Sequence, residues 1–264
     1  MPLDIEHIAS SFVAARQAGR ALAAYPGGQV PETLDAGYAC QDRALALWPD
    51  HVAGWKVGLV PPALRPRLGA ERLAGPIFQQ AVQMAPTDGP VSFPVYPDGF
   101  AAVEAEFVIK LARDVPPGPA PTLEEAGSLV AALHIGIEPA GSPLASINDL
   151  GPTVVVSDFG NNNGLIIGPD IPDWHRQRPD DLYVETMVDD VVVGRGTAAS
   201  IPGGPLAALV FLIGLMGRRG LSLSAGSWVS TGAATGIHRV DAGARAQVCL
   251  AGATPIRAMA VAAA

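Results

Sequence analysis

Glu104 and Glu106, in the apolar stretch FAAVEAEFVI (100–109), are the first residues whose type and spacing suggest chemistry. On a strand, residues i and i+2 project from one face, so these carboxylates stand side by side, roughly 7 Å apart. Glu138 ends a second apolar run, AALHIGIEPAG, where alternation groups it with His134 and Gly136. Burying an unpaired carboxylate is costly, so the three need a divalent cation, arginine partners or a solvated sheet face. An all-oxygen ligand set selects Mg2+ or Mn2+ over Zn2+. Two ligands from one strand and a third from its neighbour would occupy one side of an octahedron and leave positions open for substrate. Lys56 is the single charge in GWKVGL (54–59). It reads either as an edge lysine whose stem snorkels or as a cation for an anionic substrate or proton transfer. Asp158 opens DFGNNNGLIIG (158–168), a turn-like segment able to line a pocket.

The elements that must position these groups follow from periodicity. Ile5, Ile8, Phe12 and Leu22 give 4–24 a near-helical spacing, and 33–48 predicts a second helix that stops before Pro49. GWKVGL is a short strand, followed through GPIF (75–78) by the glutamate strand. A proline-rich loop at 116–121 leads to Thr122 and Glu125, a capping box for a helix ending near Leu133. HIGIE, TVVVSD and NGLIIG then read as strands, and LYVETMVDDVVVGRG as a hairpin turning at Asp189 and Asp190. A helix over 205–219 starts at a proline and ends at Gly220; strands at 227–231, 245–250 and 255–261 close the chain. The pattern predicts an α+β fold: an N-terminal helical segment, 1–50, on a β-rich body, 51–264, forming one continuous structural domain.

The chain has 264 residues, 49% of them hydrophobic, which can fill a sizeable core. A net charge of −8, with neither basic clusters nor aromatic-basic interleaving, argues against nucleic acid or an anionic membrane as partner. Cys40 and Cys249 lie in apolar surroundings without a neighbouring Cys or His and read as core residues of a reducing compartment. The N-terminal residues lack the pattern of a secretory signal, and the apolar run 205–217 is too short to span a bilayer, so a cytoplasmic location is expected.

Taken in order, GWKVGL, GPIF, VEAEFVI, HIGIEPAGS, DFGNNNGLIIG and GRGTAASIPGGPLAALVFLIGLMGRRGLSLSAGSWVSTGAATG resemble the 2-keto-4-pentenoate hydratase and 4-oxalocrotonate decarboxylase branch of the fumarylacetoacetate hydrolase (FAH) superfamily, over about residues 40 to 250. The resemblance implies mixed sheets rolled around an active site, a Mg2+ or Mn2+ ion, small 2-oxo or 2-hydroxydienoic acid substrates from aromatic-ring degradation, and a homo-oligomer. Residue by residue it implies Glu104, Glu106 and Glu138 as metal ligands and Lys56 and Asp158 as catalytic groups. Ser142, Thr231 and Gly232 fall at substrate-binding positions. Three departures stand out. The Asp-Ser-Arg that usually follows the third glutamate is replaced here by a segment running from Pro139 to Pro143, in which only Ser142 survives. An acidic residue usual after the GPIF-like segment is replaced by Gln79 or Gln80, and a usual Asp-Asn-Ala-Ser has become DFGNNN.

The implied reaction is metal-dependent hydration of a 2-hydroxy-2,4-dienoate. The near alternative is decarboxylation of a 4-oxalocrotonate-type diacid. A carbon–carbon bond hydrolase would need a His near a Glu, for which His51 is the candidate, and a degenerate member would bind a small acid without turnover.

Overall fold

The computed structural model describes residues 3–263. Helix α1 (Ile5–Gln17) starts at Asp4, whose side chain accepts the His7 N–H at 3.0 Å, and buries Ile8 and Phe12. It ends earlier than the spacing predicts: Gly19 is left-handed, and Leu22 instead forms an isolated bridge with Leu144. Helix α2 (Leu34–Leu47) is capped by Thr33 and stops where Trp48 turns extended ahead of Pro49, as expected.

Strand β1 (Val52–Leu59) carries Lys56. After the single turn α3 (Arg65–Leu68) come β2 (Arg72–Phe78), β3 (Val82–Met84), β4 (Val91–Val95) and β5 (Phe100–Leu111). The capping box at Thr122 and Glu125 is present, yet α4 (Leu123–Gly127) is one turn long and β6 (Val130–Ser142) takes over the residues assigned to its second half. Long-range pairing of the alternating segment with β5 outweighs local helix extension.

The second correction concerns TVVVSD, which is not a strand: α5 (Pro152–Ser157) is helical despite its β-branched run. Pro152 presets the first turn, and α5 packs so tightly on α2 that a Cβ on Gly37 would lie 2.6 Å from the Thr153 carbonyl oxygen. Tertiary burial overrides propensity here. Strand β7 (Leu165–Asp170) follows, then the hairpin β8 (Tyr183–Val188) and β9 (Val191–Thr197), turning through Asp189 and Asp190 at φ 48 and 65. Helix α6 (Gly204–Arg218) precedes β10 (Trp228–Ala233), β11 (His238–Arg239), β12 (Arg245–Leu250) and β13 (Ile256–Ala262).

One sheet runs β2-β1-β10-β5-β6-β7-β3, with β11 added on β5; the other runs β4-β13-β12-β8-β9. β2 and β3 occupy opposite edges of the first sheet, yet only the turn Gln79–Ala81 separates them in sequence. That sheet must therefore curl until its two edges nearly meet. This is the FAH-type α+β arrangement. Its main hydrophobic core joins Ile8 and Phe12 of α1 to residues of both sheets, and a smaller cluster, Ile77, Val108, Leu165 and Ile167, fills part of the curled sheet. Cys40 and Cys249 are both free, the first buried and the second half-buried. Among the described residues no helix is long and apolar enough to cross a membrane.

Candidate metal centre

In the β5–β6 ladder Glu104 lies directly opposite Glu138, and Glu106 opposite Gly136. Directly paired residues share a face, so register turns three separated glutamates into one cluster. One oxygen from each lies within 4.8 Å of the others, and the three residues are only 4%, 0% and 0% exposed. The solvated-face alternative is thereby removed.

The partners of each oxygen show what the cluster can accept. Glu106 Oε2 accepts from Ser230 Oγ at 2.6 Å and from the Gly232 N–H at 2.8 Å. Glu138 Oε1 accepts from Asn162 Nδ2 at 3.0 Å and lies 3.4 Å from Lys56 Nζ. Glu106 Oε1 and Glu138 Oε2 are buried without a hydrogen-bond partner. Three carboxylates facing one ammonium leave two negative charges in excess, which a divalent cation would cancel. Two orphaned oxygens and an all-oxygen donor set fit a hard dication such as Mg2+ or Mn2+.

Lys56 reaches the cluster because β1 pairs in parallel with β10, placing Lys56 beside Ser230, and antiparallel with β2, placing it beside Gly75. Gly75 has no room for a side chain: a Cβ there would sit 2.1 Å from the Phe159 carbonyl oxygen. The 158–163 loop uses that gap to approach the ammonium, and Asn161 Oδ1 accepts from Lys56 Nζ at 3.3 Å.

Burial pushes the Glu104 carboxyl up to about 7, with Lys56 opposing the shift and Glu138 adding to it. Burial and both neighbouring carboxylates raise Glu106 well above the ordinary range. For Lys56 burial favours the neutral amine, but Glu138, Glu104 and Glu106 outweigh it and hold the group as an ammonium. Between about pH 4.5 and 7 the folded, metal-free chain therefore keeps a proton on Glu104 that the unfolded chain releases. Stability from this group is full at low pH and falls as pH rises through that window, by on the order of 3 kcal/mol. Lys56, whose shift acts only at alkaline pH, leaves this window untouched. Metal-free Glu104→Gln, which cannot titrate there, should gain stability over wild type as pH rises from 5 to 8, measured by urea unfolding at each pH. A pH-independent difference would contradict the shift.

The other residues singled out in the sequence fall into two groups. Gly232, at φ 113, belongs to the centre through its N–H on Glu106, whereas the Thr231 hydroxyl donates to the Phe107 carbonyl at 2.6 Å and clips β10 to β5. Asp158 and Ser142 form a separate buried cluster. Asp158 Oδ1 accepts from Arg16 Nε at 2.5 Å, and Oδ2 accepts from Arg16 Nη2 at 3.0 Å and from Ser142 Oγ at 2.6 Å. His51 is exposed, and its hydrogen bonds run through its backbone, to Asp50 and Gln79.

Sequence reasoning missed Arg16 and Ser230. Arg16 had a signal: it continues the buried stripe of Ile8 and Phe12 at i+4, where a charge needs a partner.

No family model matches the sequence. In structure, 97% of the chain superposes on 97% of a 4-oxalocrotonate decarboxylase from Pseudomonas putida G7, complexed with magnesium and adipate, with TM-score 0.80 and 18% identity. The fold is that of the FAH superfamily. A fumarylpyruvate hydrolase from Pseudomonas aeruginosa, in complex with Mn2+ and pyruvate, shares this FAH fold at TM-score 0.55 and 17% identity, over 79% of this chain and 89% of that one. In sequence, a curated 4-oxalocrotonate decarboxylase from Pseudomonas sp is 35% identical over 83 residues, and the match spans 31% of each chain. These two neighbours are metal-bound enzymes, and the buried glutamate triad of this chain is a cluster that could hold a divalent metal.

Proposed function

We propose that the chain is a metal-dependent lyase that adds water to a 2-hydroxy-2,4-dienoate of the 2-keto-4-pentenoate type. The observation that carries this reading is the buried triad Glu104, Glu106 and Glu138, with two orphaned oxygens, beside the single ammonium of Lys56. Mg2+ or Mn2+ held by the three glutamates would supply Lewis-acid polarisation of a 2-oxo acid.

The chain's own groups account for the rest. Ser230 and the Gly232 N–H fix one oxygen of Glu106, and Asn162 fixes one oxygen of Glu138, so the remaining oxygens stay aimed at a common centre. Lys56, held as an ammonium, serves as charge partner and proton donor to an anionic substrate oxygen, and Asn161 orients it. Ile77, Val108, Leu165 and Ile167 keep the interior behind it dry.

Hydration and decarboxylation part at the far end of the substrate, where a diacid needs a second cation. Arg16 of α1, a further buried cation packed against the 158–163 loop, is already bound to Asp158, Gly141 and Asn162, which favours a monoacid. The second reading, decarboxylation of a 4-oxalocrotonate-type diacid, draws support from the curated relative and from the P. putida structure, both 4-oxalocrotonate decarboxylases. A cytoplasmic homo-oligomer completes the proposal, carried by the resemblance. Dissolved CO2 per chromophore lost, measured with Mg2+ on 2-hydroxydienoates and 2-oxo-enedioates, decides between the two. Hydration predicts a ratio near zero with the monoacid consumed; a ratio near one on the diacid, with the monoacid untouched, assigns decarboxylation.

A further inference from the structure

Arg16 is 7% exposed, and each of its guanidinium nitrogens donates. Nε binds Asp158 Oδ1 at 2.5 Å. Nη2 binds Asp158 Oδ2 at 3.0 Å, the Asp158 carbonyl at 3.3 Å and the Gly141 carbonyl at 3.0 Å. Nη1 binds the Asn162 carbonyl at 3.0 Å, Asn163 Oδ1 at 3.4 Å and the Tyr96 hydroxyl at 3.5 Å. The Tyr96 and Phe159 rings lie 5.7 and 5.3 Å from the guanidinium carbon. So saturated a group has no donor left for a ligand, and most of its hydrogen bonds go to the 158–163 loop.

That loop would not hold its shape unaided. Phe159, Gly160 and Asn161 are successively left-handed, at φ 52, 66 and 53, a conformation that favours glycine and disfavours phenylalanine. Such backbone persists only where its surroundings over-determine it. The same loop sends two amides to the metal centre: Asn161 to Lys56 and Asn162 to Glu138. The Asn162 amide is locked in orientation, its Oδ1 accepting the Gly164 N–H at 3.1 Å and its Nδ2 also donating to the Gly164 carbonyl at 3.0 Å. One residue thus has its carbonyl gripped by Arg16 and its side chain on a metal-centre glutamate.

We infer that Arg16 is a positioning residue for the metal centre, acting from helix α1 through the 158–163 loop to set Asn162 against Glu138. Asp158, with both oxygens committed, serves in this arrangement as the anchor for Arg16. The inference rests on the metal reading above. A structural ion pair alone would affect melting but not metal affinity in the folded chain; a positioning group alters both, since partners that orient metal ligands are worth about 10- to 100-fold in affinity.

The test is the Mn2+ dissociation constant, from the free-ion electron paramagnetic resonance signal, for the full-length wild type, Arg16→Lys, Asn162→Ala and the double variant, with circular dichroism to confirm folding. Arg16→Lys should weaken Mn2+ binding at least about 10-fold, Asn162→Ala should do likewise, and the double variant should be no weaker than the worse single one, since both act on one contact. Should Arg16→Lys not fold, the isosteric Asp158→Asn takes its place with the same expectation. Unchanged Mn2+ affinity in the folded Arg16 or Asp158 variant, or additive losses in the double, would overturn the inference while leaving the metal centre standing. Failure of the wild type to take up Mn2+ would overturn the metal reading and this inference with it.

Discussion

Glu106→Gln should lose metal-dependent turnover while the metal-free protein melts no lower: the amide oxygen of glutamine can still accept from Ser230 and the Gly232 N–H, which bind Glu106 Oε2 in the native chain.

 The nitrogen then replaces Oε1, which is buried without a partner, and can donate to the neighbouring carboxylates where Glu106 repels them. Exchanging repulsion for a hydrogen bond is worth about 1 kcal/mol or more of stability in the chelated protein. Turnover should fall by more than the roughly 100-fold that loss of an outer partner costs, because a direct ligand has gone. Thermal melting in chelator and initial rates with saturating Mg2+ measure the two halves. Retained turnover would remove Glu106 from the metal centre, and a lower melting temperature would mean that the carboxylate stabilises the empty fold.

Lys56→Met should have the opposite signature. Lys56 is 5% exposed and is the cation whose charge acts on Glu104, Glu106 and Glu138. Methionine matches its length but leaves the three carboxylates without a counter-charge, and breaking a buried ion pair from one side costs about 3–5 kcal/mol. For a chain of this size that lowers the melting temperature by roughly 10 °C. The loss should be larger at pH 8 than at pH 6, where protonation relieves the repulsion. Millimolar Mn2+ should recover most of it, since a ligand that binds only the folded state stabilises that state by mass action. Turnover should not recover, because the ammonium that meets the substrate is missing. Equal melting of variant and wild type in chelator would show that Lys56 does not balance the triad.

The parts of the centre that were legible in the sequence are those governed by a period of two. Glu104 and Glu106 on one face, Glu138 ending a second strand and Lys56 alone in a third could all be read from alternation. The pairing of Glu104 with Glu138 could not, since register depends on contacts between whole strands. The local rules misled where tertiary packing was strongest: the valines of α5 follow strand propensity, and their helix exists because it is buried against α2. Asp158 illustrates a different gap. Its type marked it as a candidate for chemistry, but the partner that engages both its oxygens, Arg16, lies 142 residues away. Arg16 was detectable only as a charge interrupting an apolar stripe, a signal that says a partner exists without saying which.

The parallel pairing of β1 with β10 also bears on the order in which the protein is made. Lys56 meets Ser230 only after nearly all of the chain has been synthesised, and β13 must arrive later still to pair with β4. Contacts of such separation are slow to form. Until then β1 and β4 wait on the nascent chain with open hydrogen-bonding edges, the kind of surface that invites aggregation or a chaperone. The ability to capture a metal ion therefore matures late, and a ribosome-bound chain that stops short of Gly232 should lack it however well its N-terminal helices have formed.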